Sequence, residues 1–151
     1  MKIGFFGGSF NPPSIAHLKL AKKAIKECKL DKVIFVPIGD FYDKEDLAPI
    51  SDRIQMLKIA CKNCNDIEVS DFEKDFKEKV YACDIFKIIT KKYLKDDVFF
   101  LMGEDNYLKL NSWKNYKELL NYKYIIFERN KEVKIENNSN RAKFADTGIE
   151  D

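Results

Sequence analysis

The sequence predicts an α/β fold, a Rossmann-like doubly wound parallel sheet, on three observations. Short unbroken apolar runs alternate with helix-period segments along the chain. The runs lack the polar alternation of strands with one wet face, so they read as strands covered on both sides. Glycine-rich or polar segments follow the runs at 7–8, 37–44 and 103–113, the kind of strand end at which such folds open a ligand crevice.

Element by element, residues 2–6 form an apolar run that stops at Gly7-Gly8, a buried strand entering a tight turn. Residues 14–28 place Ile15, Leu18, Ala21, Ala24, Ile25 and Cys28 on one helix face. Residues 33–37 are a second strand and 39–48 a polar, acidic loop. The second helix is expected over 49–64, with Pro49 in its first turn. A short strand follows at 67–69, then a charged, solvated connection at 72–79 and a third helix at 82–94. The run at 98–102 is another strand, ending at Gly103. Short helices are expected at 107–110 and 113–120, and a further strand at 124–127. The Asn-rich segment 131–140 is expected to be a surface loop or partly disordered.

Composition narrows the class. The chain has 151 residues, the size of one domain, and is treated as a single domain over 1–151. A net charge of +2 with 34% charged residues excludes a dedicated nucleic-acid binder, which would carry a basic excess. With 45% apolar residues the chain can bury a core and is not a disordered segment. No run approaches the ~18 apolar residues of a membrane span, and the N-terminus does not read as a secretory leader. The expectation is a cytoplasmic protein with no membrane or nucleic-acid partner; its oligomeric state is not legible.

Cys61 and Cys64 have the spacing of half a zinc site. They also continue the face of Ile50, Ile54 and Leu57, so both are expected in the core as small hydrophobes. No metal site is expected from side chains alone.

The first turn carries the chemistry. Gly7-Gly8-Ser9-Phe10-Asn11 leads to Ser14 and His17 at the start of a helix. Glycines admit close backbone approach, and a helix start favours an anion. Neither the Walker loop nor the GxGxxG fingerprint is present. Gly8-Ser9-Phe10-Asn11-Pro12 followed by His17 resembles the GxFxPxHxGH signature of the nucleotidylyltransferase superfamily, in the wording of its nicotinate-mononucleotide adenylyltransferases. Leu101-Met102-Gly103-Glu104-Asp105 with Trp113 eight residues after the Asp resembles that branch's strand-G-x-D segment. Tyr81-Ala82, then Lys44 with Arg53 and Met56, and a late strand ending at Arg129 resemble further segments, so the likeness spans roughly 1–130.

The resemblance implies transfer of AMP from ATP to a pyridine mononucleotide by direct in-line attack, with release of pyrophosphate and with Mg2+ bridging the ATP phosphates. It implies that His17 and Ser14 act on the phosphates and that Gly7, Gly8, Ser9, Phe10 and Asn11 line the nucleotides. Gly103 and Asp105 would lie against the adenosine. Lys44, Tyr81, Ala82, Trp113 and Arg129 would serve the mononucleotide, Trp113 by stacking on its ring. Each has a plainer reading beside it. Trp113 and Tyr81 are also packing aromatics, Asp105 also a helix cap, and Lys44 and Arg129 also solvated charges.

The chain departs from the family pattern in four places. Ser14 stands where the first histidine of HxGH is expected, and Ala16 where its glycine is. Asp43 stands where the family tends to histidine, and the Ile-Ser-Ser-Thr-x-x-Arg segment is missing. The chain is therefore expected to lack its C-terminal helix and phosphate-binding motif. Two alternatives stay open: a nucleotidylyltransferase with another phosphate acceptor, and a nucleotide-binding module that has lost turnover.

Overall fold

The computed structural model describes residues 1–40, 46–74, 76–127 and 142–143. Lys44, Asp43, Arg129, the Asn-rich segment at 131–140 and the C-terminal residues 144–151 lie outside them. Strands and helices alternate: β1 Lys2–Gly8, α1 Ile15–Cys28, β2 Lys32–Pro37, α2 Ile50–Ala60, β3 Ile67–Val69, α3 Ala82–Lys92 and β4 Asp97–Gly103. After β4 come α4 Glu104–Leu108, a 3-10 turn Leu110–Ser112, α5 Tyr116–Leu119, β5 Lys123–Phe127 and β6 Ala142–Lys143. The strands form one sheet of order β3-β2-β1-β4-β5-β6, and every described pair is parallel. The α/β expectation holds.

Successive residues of each strand point to opposite faces, which is why unbroken apolar runs are needed. Phe6, Phe35, Leu101 and Ile125 face one core with Leu20, Ala21 and Ala24 of α1 and Leu57 of α2. Phe5, Ile34, Phe100 and Ile126 face the other with Cys83, Ile85 and Ile89 of α3. Each fully buried Phe or Leu is worth about 1.5–3 kcal/mol in transfer free energy, so the two-sided core sets the register of the strands. Gly4 admits close packing on β1: a Cβ there would stand 2.7 Å from Leu101 Cδ1 and 2.9 Å from Leu30 Cδ1.

Three segments differ from expectation. The second helix stops at Ala60 and does not reach Cys64; Cys64 N–H bonds to Cys61 O at 2.9 Å in a closing turn. Both cysteines still pack on the core, and burial pushes the Cys61 thiol up to about 11, with Cys64 adding to the rise. Such a thiol stays protonated and inert at neutral pH. The helix expected at 113–120 shortens to α5, because Asn115 takes a left-handed φ of 57° and breaks it. Trp113, at φ −84° and ψ 153°, is left in an extended link.

The connection at 72–79 is not simply solvated. Glu73 is only 3% exposed, and Phe72 and Phe76 pack on the second core with ring centroids 5.2 Å apart. The apolar positions Phe72, Phe76 and Val80 recur every four residues, a pattern hidden among six charges.

Candidate active site

Strand β1 lies between β2 and β4, and the chain leaves it in one direction toward β2 while β4 leads the other way toward β5. The crevice at such a reversal is the usual ligand position of an open α/β sheet. Gly7 and Gly8 end β1 there, and Gly103 ends β4. No described atom lies within 4 Å of the point where a Cβ on Gly103 would stand, so the strand end faces open space.

The turn after β1 is pinned from below. Gly8 O accepts from Ile38 N–H at 3.0 Å. Phe10, 2% exposed, drops its ring into the core against Phe6, Phe35 and His17, with centroids 5.8, 5.2 and 4.9 Å away. Its φ is 47°, and the Asn11-Pro12 peptide is cis. The Asn11 amide clips the neighbouring loop, donating to Asp46 O at 2.7 Å and accepting from Ala48 N–H at 3.1 Å.

Ser14 is the N-cap of α1. Its hydroxyl accepts from His17 N–H at 3.4 Å, and its own N–H donates to His17 Nδ1 at 3.0 Å. A backbone N–H can only donate, so Nδ1 is the acceptor and the neutral ring carries its proton on Nε2. The capping box thus fixes both the tautomer and the orientation of His17 at a helix start. Ser14, expected to act on phosphates, has its hydroxyl engaged in holding the histidine.

Arg53, fully buried at 0% exposed, joins the turn to the β2 side. Its Nε donates to Ala48 O at 2.6 Å, and its Nη1 to Ser9 O at 3.0 Å and Ile38 O at 2.7 Å. Its Nη2 pairs with Asp40 Oδ1 at 3.0 Å, and that oxygen also caps Ile50 N–H at 2.8 Å. One guanidinium therefore sets the relative position of two loops that approach the crevice.

On the α3 side lies a cleft of about 480 Å3. Its wall brings together Gly7, Gly8, Tyr81, Ala82 and Trp113, five of the residues singled out in the sequence. Trp113 and Tyr81 are partly exposed, as aromatics offered to a ligand must be. Ser9, Phe10, Asn11, Ser14 and His17 belong to the turn on the other side of Gly8. Asp105 is exposed in the first turn of α4 and does not line the cleft; the cap of that helix is Gly103, without a side-chain bond, so the cap reading is not what forms.

The three charged cleft residues, Glu73, Lys79 and Lys114, were missed in the sequence. Glu73 accepts from Gly39 N–H at 3.0 Å, and loss of solvent pushes its carboxyl from 4.5 up to about 7 against the pull of that N–H and of Arg53. Folded protein then holds a proton that unfolded chain releases between about pH 4.5 and 7. This contribution to stability is present at the acid end of the window and is lost as pH rises through it. Urea unfolding at pH 5 and pH 8 checks the sign. Glu73→Gln is expected to lose less stability than the native chain over that rise; an equal or larger loss contradicts it.

Comparison with known proteins gives the family. A cytidylyltransferase-like family model matches residues 5–146. A Fusobacterium nucleatum protein described as "Probable nicotinate-nucleotide adenylyltransferase" is 40% identical over 139 residues, which are 90% of this chain and 72% of that one. A protein of the same description from Maridesulfovibrio salexigens is 36% identical over 121 residues, 79% of this chain and 56% of that one. The chain thus spans about half to three-quarters of the length of these relatives. Among solved structures, Plasmodium falciparum nicotinic acid mononucleotide adenylyltransferase complexed with NaAD superposes with a TM-score of 0.80 at 21% identity, over 95% of this chain and 74% of that chain. At that identity the superposition establishes the fold. With the strand-end crevice, the capped histidine and the matches to both relatives in hand, the chain belongs to the cytidylyltransferase-like family, in its nicotinate-nucleotide adenylyltransferase branch.

Proposed function

We propose that this chain transfers AMP from ATP to the phosphate of nicotinate mononucleotide, forming nicotinate adenine dinucleotide and pyrophosphate. One observation carries the reading. The Gly-Ser-Phe-Asn turn with its capped His17 and the aromatic cleft of Tyr81 and Trp113 share Gly8 as their common border. A donor in the first and an acceptor in the second meet at the end of β1. The description of the relatives and the NaAD of the Plasmodium complex support the same pair of substrates.

The acceptor's phosphate oxygen forms a bond to the α-phosphorus of ATP. The bond from that phosphorus to the bridging oxygen breaks, and its electron pair leaves with pyrophosphate. No side chain needs to become covalently attached, so positioning and charge stabilisation carry the rate. His17 donates from Nε2 to the phosphates, with Nδ1 held by Ser14. The backbone of Gly7, Gly8 and Ser9 lies against the nucleotide, while the Phe10 ring and the Asn11 amide shape the turn. Gly103 leaves room for the adenosine, and Asp105 reaches it from α4. Trp113 stacks on the pyridine ring, and the first-turn N–H groups of α3 after Tyr81 meet its acidic substituent.

Lys44 and Arg129 are proposed on the resemblance alone. Among the described residues, no three His, Cys, Asp or Glu side chains converge as a cation cage. A divalent cation, Mg2+ by preference, is therefore proposed to come with the ATP phosphates, where it would offset their charge. No described helix is long and apolar enough to cross a membrane, and a cytoplasmic location is proposed with the function.

Ser14 in place of a second histidine favours one alternative, a module that binds nucleotide without turning it over. ATP carrying a radiolabelled α-phosphate, incubated with Mg2+ and nicotinate mononucleotide, separates the two. Label in a dinucleotide with unlabelled pyrophosphate is expected; tight ATP binding with no pyrophosphate sinks the enzyme reading.

A further inference from the structure

Glu73 is the one acidic side chain among the described residues that line the cleft, and it is 3% exposed. A buried carboxylate is costly unless donors reach its oxygens. Oε1 has one, the Gly39 N–H at 3.0 Å. No described donor reaches Oε2. Yet Oε2 is not sealed in the core: among the described residues, Glu104 Oε2 is the only side-chain oxygen or nitrogen both buried and unpartnered. The small exposure of Glu73 therefore includes Oε2, and the space beside it is the cleft. The want of a second donor shows in the carboxyl, which loss of solvent pushes up to about 7 against the pull of Gly39 and Arg53.

Two consecutive N–H groups fix where along the cleft Glu73 stands. Ile38 N–H donates to Gly8 O at 3.0 Å, and the next N–H, that of Gly39, donates to Glu73. Glu73 is thus tied to the Gly8 border, where the acceptor's phosphate meets the donor turn. Arg53 faces it from α2 with Asp40 as partner, and Lys79, Tyr81 and Lys114 share the cleft lining. A carboxylate oxygen accepts hydrogen bonds and cannot donate them. The acceptor's phosphate and ring carboxylate are acceptors too, and its ring nitrogen carries no hydrogen. Its sugar hydroxyls are the donors it has to offer, and the sugar adjoins the phosphate.

We propose that Glu73, anchored on Gly39 through Oε1, accepts a hydroxyl of the acceptor's sugar on Oε2 and selects for a ribose-bearing acceptor. This rests on the proposed acceptor site and gives it a specificity residue outside the first turn. A hydroxyl bonded to the charged carboxylate favours that form. By reciprocity the ionised carboxylate binds the sugar more tightly, so discrimination for ribose rises as pH climbs through about 7.

Trp113 lines the same cleft and is the only tryptophan of the chain, so its fluorescence reports occupancy without turnover. Nicotinate mononucleotide and its 2′,3′-dideoxy analogue are titrated into the native chain and into Glu73→Gln, at about pH 6 and 8, on either side of the Glu73 carboxyl. Both ligands carry the same phosphate and ring, so the ratio of their Kd values isolates the hydroxyls. In the native chain the dideoxy analogue is expected to bind about tenfold more weakly at the higher pH, the size of a hydrogen bond to a charged group, and about threefold at the lower. Glu73→Gln keeps an oxygen for Gly39 N–H and is expected to hold the ratio near ~3 throughout. Should that variant not fold, the native pH dependence decides alone. A native ratio that does not rise with pH overturns the proposal, as does a ratio unchanged in folded Glu73→Gln. If both ligands bind more tightly together as pH falls, in the native chain alone, Glu73 reads the phosphate and the proposal is overturned. A native chain that binds neither ligand also overturns it. A pH-dependent ratio in a chain that makes no dinucleotide keeps this inference and removes the turnover; dinucleotide formed with a flat ratio does the reverse.

Discussion

His17→Ala is expected to lower kcat for dinucleotide formation about 100-fold or more, the size found for removing one preorganised donor to a developing anion. The structural reason lies in the capping box. Ser14 N–H fills Nδ1 at 3.0 Å, so the neutral ring presents its proton from Nε2 without having to choose a tautomer. Binding of the two substrates should change much less than kcat, because the donor acts mainly on charge that develops during transfer. The same substitution removes half of the cap, which by itself costs about 1 kcal/mol of stability and leaves the fold intact. Steady-state kinetics beside a thermal melt separates the two effects. A fall in kcat of less than tenfold in a folded variant would falsify the role given to His17.

Arg53→Met has the largest effect expected on stability. The substitution keeps the apolar stem and removes the guanidinium that serves the carbonyls of Ser9, Ile38 and Ala48. Each buried polar group left without a partner costs about 1–3 kcal/mol, and breaking such a buried cluster costs about 3–5 kcal/mol in all. For a chain of this size the melting temperature should fall by about 10 °C. The bond to Asp40 adds little, because that side chain is 46% exposed and its charge is screened. Arg53→Lys retains the charge but not the fork, and should recover only a small part. Loss of less than about 1 kcal/mol in Arg53→Met would show that the two loops hold their places without it.

Much of this was readable from residue order. The apolar runs located the strands because a sheet covered on both faces admits no polar alternation. The first turn was legible because its glycines, cap and histidine are neighbours in sequence, while the order of the strands came only with the structure. What stayed hidden depends on contacts between distant residues. Arg53 sits on the face shared by Ile50, Ile54 and Leu57, so its burial was foreseeable from spacing, but its partners lie up to 44 residues away. Glu73 read as one charge among many, and its buried carboxylate meets the N–H of Gly39, 34 residues away. Lys79 and Lys114 meet on Tyr81 because Asn115 breaks a helix that periodicity had extended through Trp113.

The proposed transfer is direct, across the end of β1, with His17 as a donor and not as a nucleophile. Its most direct test starts from one diastereomer of ATP bearing sulfur on the α-phosphorus, with nicotinate mononucleotide as acceptor. A single in-line displacement inverts that phosphorus, and the dinucleotide is predicted to carry the inverted configuration. Retention would mean two displacements through an adenylylated side chain, and would rule out direct transfer.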